Sequence, residues 1–124
     1  MSDQPDYEAE DLTKVLVGIY VLIHKVCARL PLPIALPAFD GVFDSTEILP
    51  AVIRVTEIIQ DQPVDEDIQA GLWGGCLHWL SAAYLFHQWL HSQEDVLATM
   101  VRINLVTAGD ALVAVAEELT RSEE

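Results

Sequence analysis

Basic residues are scarce in this 124-residue chain, which has 6 lysines and arginines against 20 aspartates and glutamates and a net charge of −14. A chain this acidic repels phosphate backbones, so direct nucleic-acid binding is not expected. A basic surface on another protein is the favoured partner, although high charge also serves simply to keep an apolar domain soluble. Hydrophobic residues make up 52% of the chain, enough for a real core.

Cysteines and targeting signals are equally sparse. Only Cys27 and Cys76 are present, both in apolar stretches, so we expect two reduced core thiols rather than a disulfide framework. The N-terminus is acidic, unlike a secretory signal. The uncharged stretch 72–90 contains histidine, serine and glutamine and lacks flanking basic residues, so a buried helix is preferred to a membrane span. These features predict a cytoplasmic protein without a membrane partner.

Catalytic motifs are absent from the sequence. There is no Gly-x-Ser-x-Gly nucleophile turn, no glycine-rich phosphate loop and no calcium loop with EF-hand spacing. We therefore expect a protein that is not an enzyme, with no catalytic residue and no cofactor.

Alternation of apolar and polar residues at period two is also missing, whereas four segments carry apolar residues at helical spacing. The predicted helices are Glu8–Leu30, Ser45–Gln60, Asp65–His91 and Gln93–Thr120. The prediction is an all-α, single-domain bundle of about four helices spanning residues 1–124, with residues 1–7 and 121–124 frayed.

An apolar, proline-rich connection joins the first two predicted helices. Pro31, Pro33 and Pro37 forbid a regular helix there and favour extended backbone. The residues between and after them are apolar, namely Leu32, Ile34, Leu36 and Phe39. We expect this segment to lie across the core, and the alternative is an apolar docking surface.

Capping signals mark two helix starts. Asp44 with Glu47 predicts a cap for the second helix, and Ser92 with Asp95 predicts one for the fourth. Gly74, inside a glycine-rich part of the third helix, makes a break there an alternative.

The third helix is apolar on every side and carries all three tryptophans, Trp73, Trp79 and Trp89. Such a helix lies at the centre of a bundle or faces a second subunit, which makes a homodimer an alternative. Asn104 falls inside the apolar seam of the fourth helix. A buried asparagine can fix register or oligomeric state, but a bond to a loop carbonyl is the preferred expectation.

His87 and His91 are the best metal-ligand candidates, because an i, i+4 pair places both imidazoles on one helix face. Glu94 or Asp95 could add an oxygen ligand, and His24 a third imidazole. The alternative is two amphipathic side chains at the edge of the core.

Clustered acids supply the leading functional hypothesis. Asp61, Asp65, Glu66 and Asp67 are the predicted partner-binding residues, with the N-terminal acids second. The size, acidity and lack of motifs are similar in bulk character to small inhibitory or escort proteins, such as immunity proteins, phage anti-defence inhibitors and secretion chaperones. The sequence thus favours a non-enzymatic module that binds a basic surface, with a structural homodimer or a metal-binding bundle as alternatives.

Overall fold

A computed structural model describes residues 3–39 and 44–123 of the chain. Four α-helices follow one another: α1 Asp3–Ala28, α2 Ser45–Ile58, α3 Glu66–Ser92 and α4 Asp95–Glu123. A 3₁₀ turn, Ile59–Asp61, extends α2. The described ranges contain no strand, so the predicted all-α bundle is confirmed.

The helix bounds at the chain ends differ from the prediction. Helix α1 begins at Asp3, five residues before the predicted Glu8, and α4 ends at Glu123, three residues after the predicted Thr120. Fraying of residues 1–7 and 121–124 stays a prediction. Of these, residues 1, 2 and 124 lie outside the described ranges.

The start of α2 follows from its capping residue. Asp44 has extended backbone, and its side chain accepts a hydrogen bond from the Thr46 N–H (3.0 Å). This satisfies one of the helix's free N–H groups, so the predicted Asp44 cap is confirmed. Glu47 contributes through its backbone N–H, which donates to the Asp44 carbonyl (3.1 Å).

The turn between α3 and α4 corrects the prediction for Ser92. α3 continues through Ser92, and Gln93 ends it with a left-handed backbone (φ 59°) whose N–H donates to the Trp89 carbonyl (2.7 Å). Ser92 is therefore the last residue of α3 and not the N-cap of α4, although its hydroxyl accepts a hydrogen bond from the Glu94 N–H (3.3 Å). The favourable closing bond of α3 outweighs the Ser-x-x-Asp signal, and α4 starts only at Asp95.

Small residues let α3 and α4 form the most extensive helix contact of the fold. A Cβ on Gly71 would lie 2.6 Å from Val115 Cγ2, and a Cβ on Gly75 would lie 2.8 Å from Leu112 Cγ. Gly74 meets no neighbour, and α3 continues through it without the break that was considered. Packing along the antiparallel α3–α4 hairpin thus supports a stretch of low helix propensity.

The core fills the space between this hairpin and the other two helices. α1 packs on both α3 and α4, whereas α2 packs on α3. Trp79, Trp89 and Tyr20 are the largest fully buried side chains, and the Trp79 indole donates to the Leu16 carbonyl (2.8 Å). Because α1 and α2 cover only the inner side of the hairpin, its outer side stays open to solvent.

The proline-rich connection lies against the core, as expected. The Tyr20 hydroxyl donates to the Pro37 carbonyl, and Leu36 is buried. The buried amide of Gln62 accepts from the Leu32 N–H (3.0 Å) and donates to the Leu32 carbonyl (2.6 Å), replacing the backbone partners that an extended segment lacks. Two further apolar side chains, Ile34 and Phe39, are partly buried against the core. Of the four larger apolar side chains, Leu32, Ile34, Leu36 and Phe39, only Leu32 is largely exposed.

Candidate interaction surfaces

One end of the bundle gathers acids from two distant parts of the sequence. The antiparallel hairpin places the start of α3 beside the end of α4, and Asp65, Ile68, Leu119 and Ser122 line one cleft of about 350 Å³. We call this region the acidic end, defined by Asp61, Asp65, Glu66, Asp67, Glu117 and Glu118.

The four predicted partner-binding residues all belong to the acidic end. Asp61 closes the 3₁₀ turn, Asp65 precedes α3, and Glu66 and Asp67 lie in its first turn. All four are exposed, and within the described part of the chain none forms an ion pair. Asp65, Glu66 and Asp67 suit the positive end of the α3 dipole, whereas Asp61 lies at the C-terminal end of the turn that extends α2.

Two arginines lie at the same end. Arg121 pairs with Glu118 one turn before it, and Arg29 donates to the Thr120 hydroxyl (2.9 Å). Exposed pairs of this kind contribute little to stability. Against the six carboxylates of the acidic end, the two arginines leave a net charge of −4.

Two of the N-terminal acids, which were the second choice for partner binding, are paired with an arginine. Arg102 of α4 lies 3.5 Å from Glu8 and 3.3 Å from Asp11 of α1. These two carboxylates thus join α1 to α4, and a partner would have to compete with Arg102 for them.

The candidate metal ligands His87 and His91 are neighbours on the exposed surface of α3. Their ring centroids are 4.7 Å apart, and His91 Nδ1 lies 3.0 Å from the His87 carbonyl. Both border a shallow depression that Glu94 also lines. Within the described ranges, no group of three or more His, Cys, Asp or Glu side chains is arranged to hold a metal ion. Metal binding by the pair alone stays a prediction.

Asn104 lies at the outer edge of the α3–α4 seam, not in the core. Its Nδ2 donates to the Met100 carbonyl (2.9 Å), and its Oδ1 lies 3.0 Å from His78 Nδ1. The expected bond to a loop carbonyl is therefore wrong, because the side chain reaches the facing helix first. His78 and Asn104 form a polar bridge across the outer side of the hairpin.

The cysteines offer no reactive centre. Both thiols are free and fully buried, as expected. Burial raises the pKa of Cys27 to about 12 and also raises the pKa of Cys76. A thiol needs a depressed pKa to act as a nucleophile or a ready metal ligand, so neither cysteine suits such chemistry.

A second cavity, of about 310 Å³, lies between α1, α2 and α3 beside His87. Its lining is mainly apolar and comprises Leu16, Ser45, Leu49, Ala83, Tyr84, Phe86, His87 and Leu90. Three of these side chains carry hydrogen-bonding groups, namely Ser45, Tyr84 and His87. It is a recess for an apolar group rather than a catalytic constellation.

An uncovered surface with apolar side chains follows the outer side of the α3–α4 hairpin. The exposed or half-buried residues beside the His78–Asn104 bridge lie one, three or four positions from it along each helix. We call this set the hairpin face: Gly74, Leu77, His78 and Ser81 on α3, with Met100, Ile103, Asn104 and Thr107 on α4. Leu77, Met100 and Ile103 are 37%, 41% and 60% exposed.

Sequence reasoning located excess apolar surface on α3 alone and missed the contribution of α4. The helical segment Asp95–Ser122 is long and apolar enough to span a membrane by length and composition, yet only 28% of its most apolar window is buried. The sequence feature that could have revealed the apolar surface of α4 is the scarcity of charge in residues 96–109, whose only charged residue is Arg102.

No family model matches this chain, and no curated protein or solved structure matches it.

Proposed function

We propose that this protein is a non-enzymatic interaction module that binds a basic surface of a partner protein, as an inhibitor or an escort. The observation that carries the proposal is the acidic end, where the hairpin joins the carboxylates at the start of α3 to those near the end of α4. Like charges gathered on one surface attract an oppositely charged partner over several ångströms and speed its association.

The cleft within the acidic end supplies an anchor point. Its lining consists of one carboxylate, Asp65, one cation, Arg29, the hydroxyl of Ser122 and five apolar residues, namely Pro31, Pro63, Val64, Ile68 and Leu119. An incoming arginine or lysine would pack its aliphatic stem on the apolar residues and direct its charged group to Asp65 and the neighbouring acids, with Arg29 as the one opposing charge in the lining. Arginine is enriched among residues that dominate binding energy, so we expect the partner to insert one here.

The experiment compares capture by the wild-type protein with capture by a variant carrying Asp61→Asn, Asp65→Asn, Glu66→Gln and Asp67→Asn. Partners retained at low salt and released at high salt are identified, and their association rates are measured against NaCl concentration. We expect the variant to associate at least about 10-fold more slowly and with a weaker salt dependence.

A matched control carries Glu57→Gln, Glu94→Gln, Asp95→Asn and Asp110→Asn. It loses the same number of exposed acids, two of them at the start of α4, so it controls for net charge and for the helix dipole. The control should bind with a rate close to that of the wild type. Equal losses in both variants would show that total charge, not the acidic end, drives association.

A further inference from the structure

His87 and His91 lie in the last two turns of α3, where packing fixes the helix. Trp89 between them is 2% exposed and stacks on Phe86, with ring centroids 6.0 Å apart. The N–H of Gln93 closes the helix by donating to the Trp89 carbonyl (2.7 Å). The core therefore holds the backbone that carries the two histidines, while both imidazoles are exposed to solvent.

The two imidazole rings are spaced as they are in a metal chelate. Imidazole nitrogens bind transition metals at about 2.0–2.1 Å, so two rings that share one ion at a tetrahedral or square-planar angle have centroids roughly 4.5–5.2 Å apart. The ring centroids of His87 and His91 are 4.7 Å apart. One ion can thus bind both rings after side-chain rotation, without a change in the backbone of α3.

A hydrogen bond decides which nitrogen of His91 is available to a metal ion. His91 Nδ1 lies 3.0 Å from the His87 carbonyl oxygen, which only accepts, so in the neutral ring Nδ1 carries the proton and Nε2 keeps its lone pair. Metal-bound histidines are usually supported in this way, because a bond from the second ring nitrogen to a carbonyl orients the ring and makes the ligating nitrogen more basic. His91 is therefore oriented as a ligand by the helix itself.

The surroundings of the pair favour a cation but supply few further ligands. Ser92 and Glu94 line the same depression, whereas the other predicted ligands, His24 and Asp95, are not part of its lining. The pair lies at the C-terminal end of α3, where the helix dipole attracts positive charge. Because no three candidate ligand side chains converge within residues 3–39 and 44–123, water molecules complete the coordination of an ion bound here.

We propose that His87 and His91 form a surface site for one divalent late transition-metal ion, bound through a nitrogen of each imidazole. Imidazole suits Cu²⁺, Ni²⁺ and Zn²⁺, and at such a site Cu²⁺ binds more tightly than either of the others. Carboxylates suit Mg²⁺ and Ca²⁺, so metal preference distinguishes the pair from the 20 acids of the chain. The site does not rest on the proposed function, whose acidic end lies at the opposite end of α3.

The test is calorimetric titration of the untagged protein with Ni²⁺ in millimolar Mg²⁺, which competes for the carboxylates. The wild type should bind one Ni²⁺ per chain. His87→Ala and His91→Ala should each weaken binding at least about 10-fold, because loss of either ring removes the chelate. His78→Ala removes an exposed histidine of the same helix and should change the affinity less than about 2-fold. Circular dichroism checks that each variant keeps its helices.

A matched control keeps the number of histidines and changes only their spacing. The double variant Gln88→His, His91→Ala has 4 histidines, like the wild type, but its pair at i, i+1 points to different sides of the helix. It should bind Ni²⁺ as weakly as His91→Ala does. Binding as tight as that of the wild type would show that the number of histidines, not their arrangement, holds the ion, and the proposal would be wrong.

Two further measurements examine the geometry directly. The electron paramagnetic resonance spectrum of the Cu²⁺ complex should show hyperfine coupling to two nitrogens in the wild type and to one in His91→Ala. Because the folded helix holds the rings together, Ni²⁺ at 100 times its Kd should raise the melting temperature of the wild type by at least about 5 °C. A wild type that binds no Ni²⁺ in the presence of Mg²⁺, or a Cu²⁺ spectrum with oxygen ligands only, overturns the proposal.

Discussion

Glycines in α3 differ in what surrounds them, although they lie within five residues of one another. Gly71 and Gly75 face α4 at distances that leave no room for a side chain, whereas Gly74 is open to solvent. Each glycine costs the helix about 1 kcal/mol relative to alanine. At Gly71 and Gly75 this cost is offset by close packing of α3 on α4, which leaves no room for a Cβ.

Alanine substitutions separate the two effects. In Gly75→Ala the new Cβ would lie 2.8 Å from Leu112 Cγ and 2.9 Å from Leu112 Cδ2, and overpacking of this kind costs about 1–3 kcal/mol. We expect a net loss of about 1 kcal/mol after the gain in helix propensity. Gly18→Ala, where nothing lies within 4 Å, should gain about 1 kcal/mol. Urea unfolding at one protein concentration measures both, and equal values would refute the packing argument.

The buried thiols predict a loss of stability in alkaline solution. The pKa of Cys27 is raised from 9.0 to about 12, and that of Cys76 is raised as well, so the folded state holds both protons more tightly than the unfolded state. Their stabilising contribution is complete below pH 9.0 and is lost as the pH rises toward the folded pKa. The free energy of unfolding should fall by about 1.4 kcal/mol per pH unit for each thiol in that window.

The measurement is thermal unfolding as a function of pH, with the double variant Cys27→Ala, Cys76→Ala as the control. The variant should lose stability less steeply above pH 9.0, although burial also raises the pKa of Tyr20 and leaves a residual slope. Identical slopes for the two proteins would mean that the thiols do not carry the effect.

At the scale of the elements, the hairpin turn contains the one non-glycine residue with positive φ in the described ranges, Gln93 at 59°. This backbone conformation costs an L-residue roughly 1 kcal/mol and costs glycine little. Gln93→Gly should therefore stabilise the protein by about 1 kcal/mol. Gln88→Gly, on the exposed side of the α3 interior, should destabilise it by about the same amount. The free energy of unfolding of both variants is measured by urea denaturation. If Gln93→Gly and Gln88→Gly both stabilised or both destabilised the protein, this explanation would be wrong.

Helix bodies were predictable from the sequence, whereas several helix ends were not. Periodic apolar residues identify α1 to α4 because one face of each must be buried. Ser92 was misassigned because Ser-x-x-Asp describes a helix start alone, while the closing bond from Gln93 to Trp89 decides where α3 ends. The start of α1 was missed because the acids before Glu8 have no apolar periodicity, although carboxylates are favourable in a first turn.

The candidate surfaces were predictable only in part, since each combines residues from two helices. The acids at the start of α3 stand out as a cluster in the sequence, but their proximity to the end of α4 depends on the hairpin. Asn104 could be recognised as a polar residue in an apolar seam, yet its partner His78 lies 26 positions away. Periodicity describes one helix at a time, so it does not define a face that two helices share.

At the scale of the whole molecule, charge and apolar surface are segregated. The acidic end and the acids at the start of α4 flank the hairpin face, which is neutral, while Asp110 lies midway along α4. The 20 acids far outnumber the 6 basic residues, so repulsion among carboxylates is the main long-range electrostatic effect in the folded state. The observed ion pairs of Arg102 and Arg121 are exposed and weak by comparison.

This balance predicts that salt stabilises the protein. Raising NaCl from about 10 mM to about 150 mM shortens the Debye length from about 30 Å to about 8 Å, which screens repulsion between the separated acids. It also weakens the ion pairs, but each contributes less than about 1 kcal/mol. We therefore expect the melting temperature to rise by several degrees at a fixed protein concentration.

Choline chloride should act like NaCl, because screening does not depend on the cation. The variant Asp61→Asn, Asp65→Asn, Glu66→Gln, Asp67→Asn should respond less, since four of the repelling charges are gone. A melting temperature that falls with salt would mean that the arginine pairs, not carboxylate repulsion, dominate the electrostatic free energy of the fold.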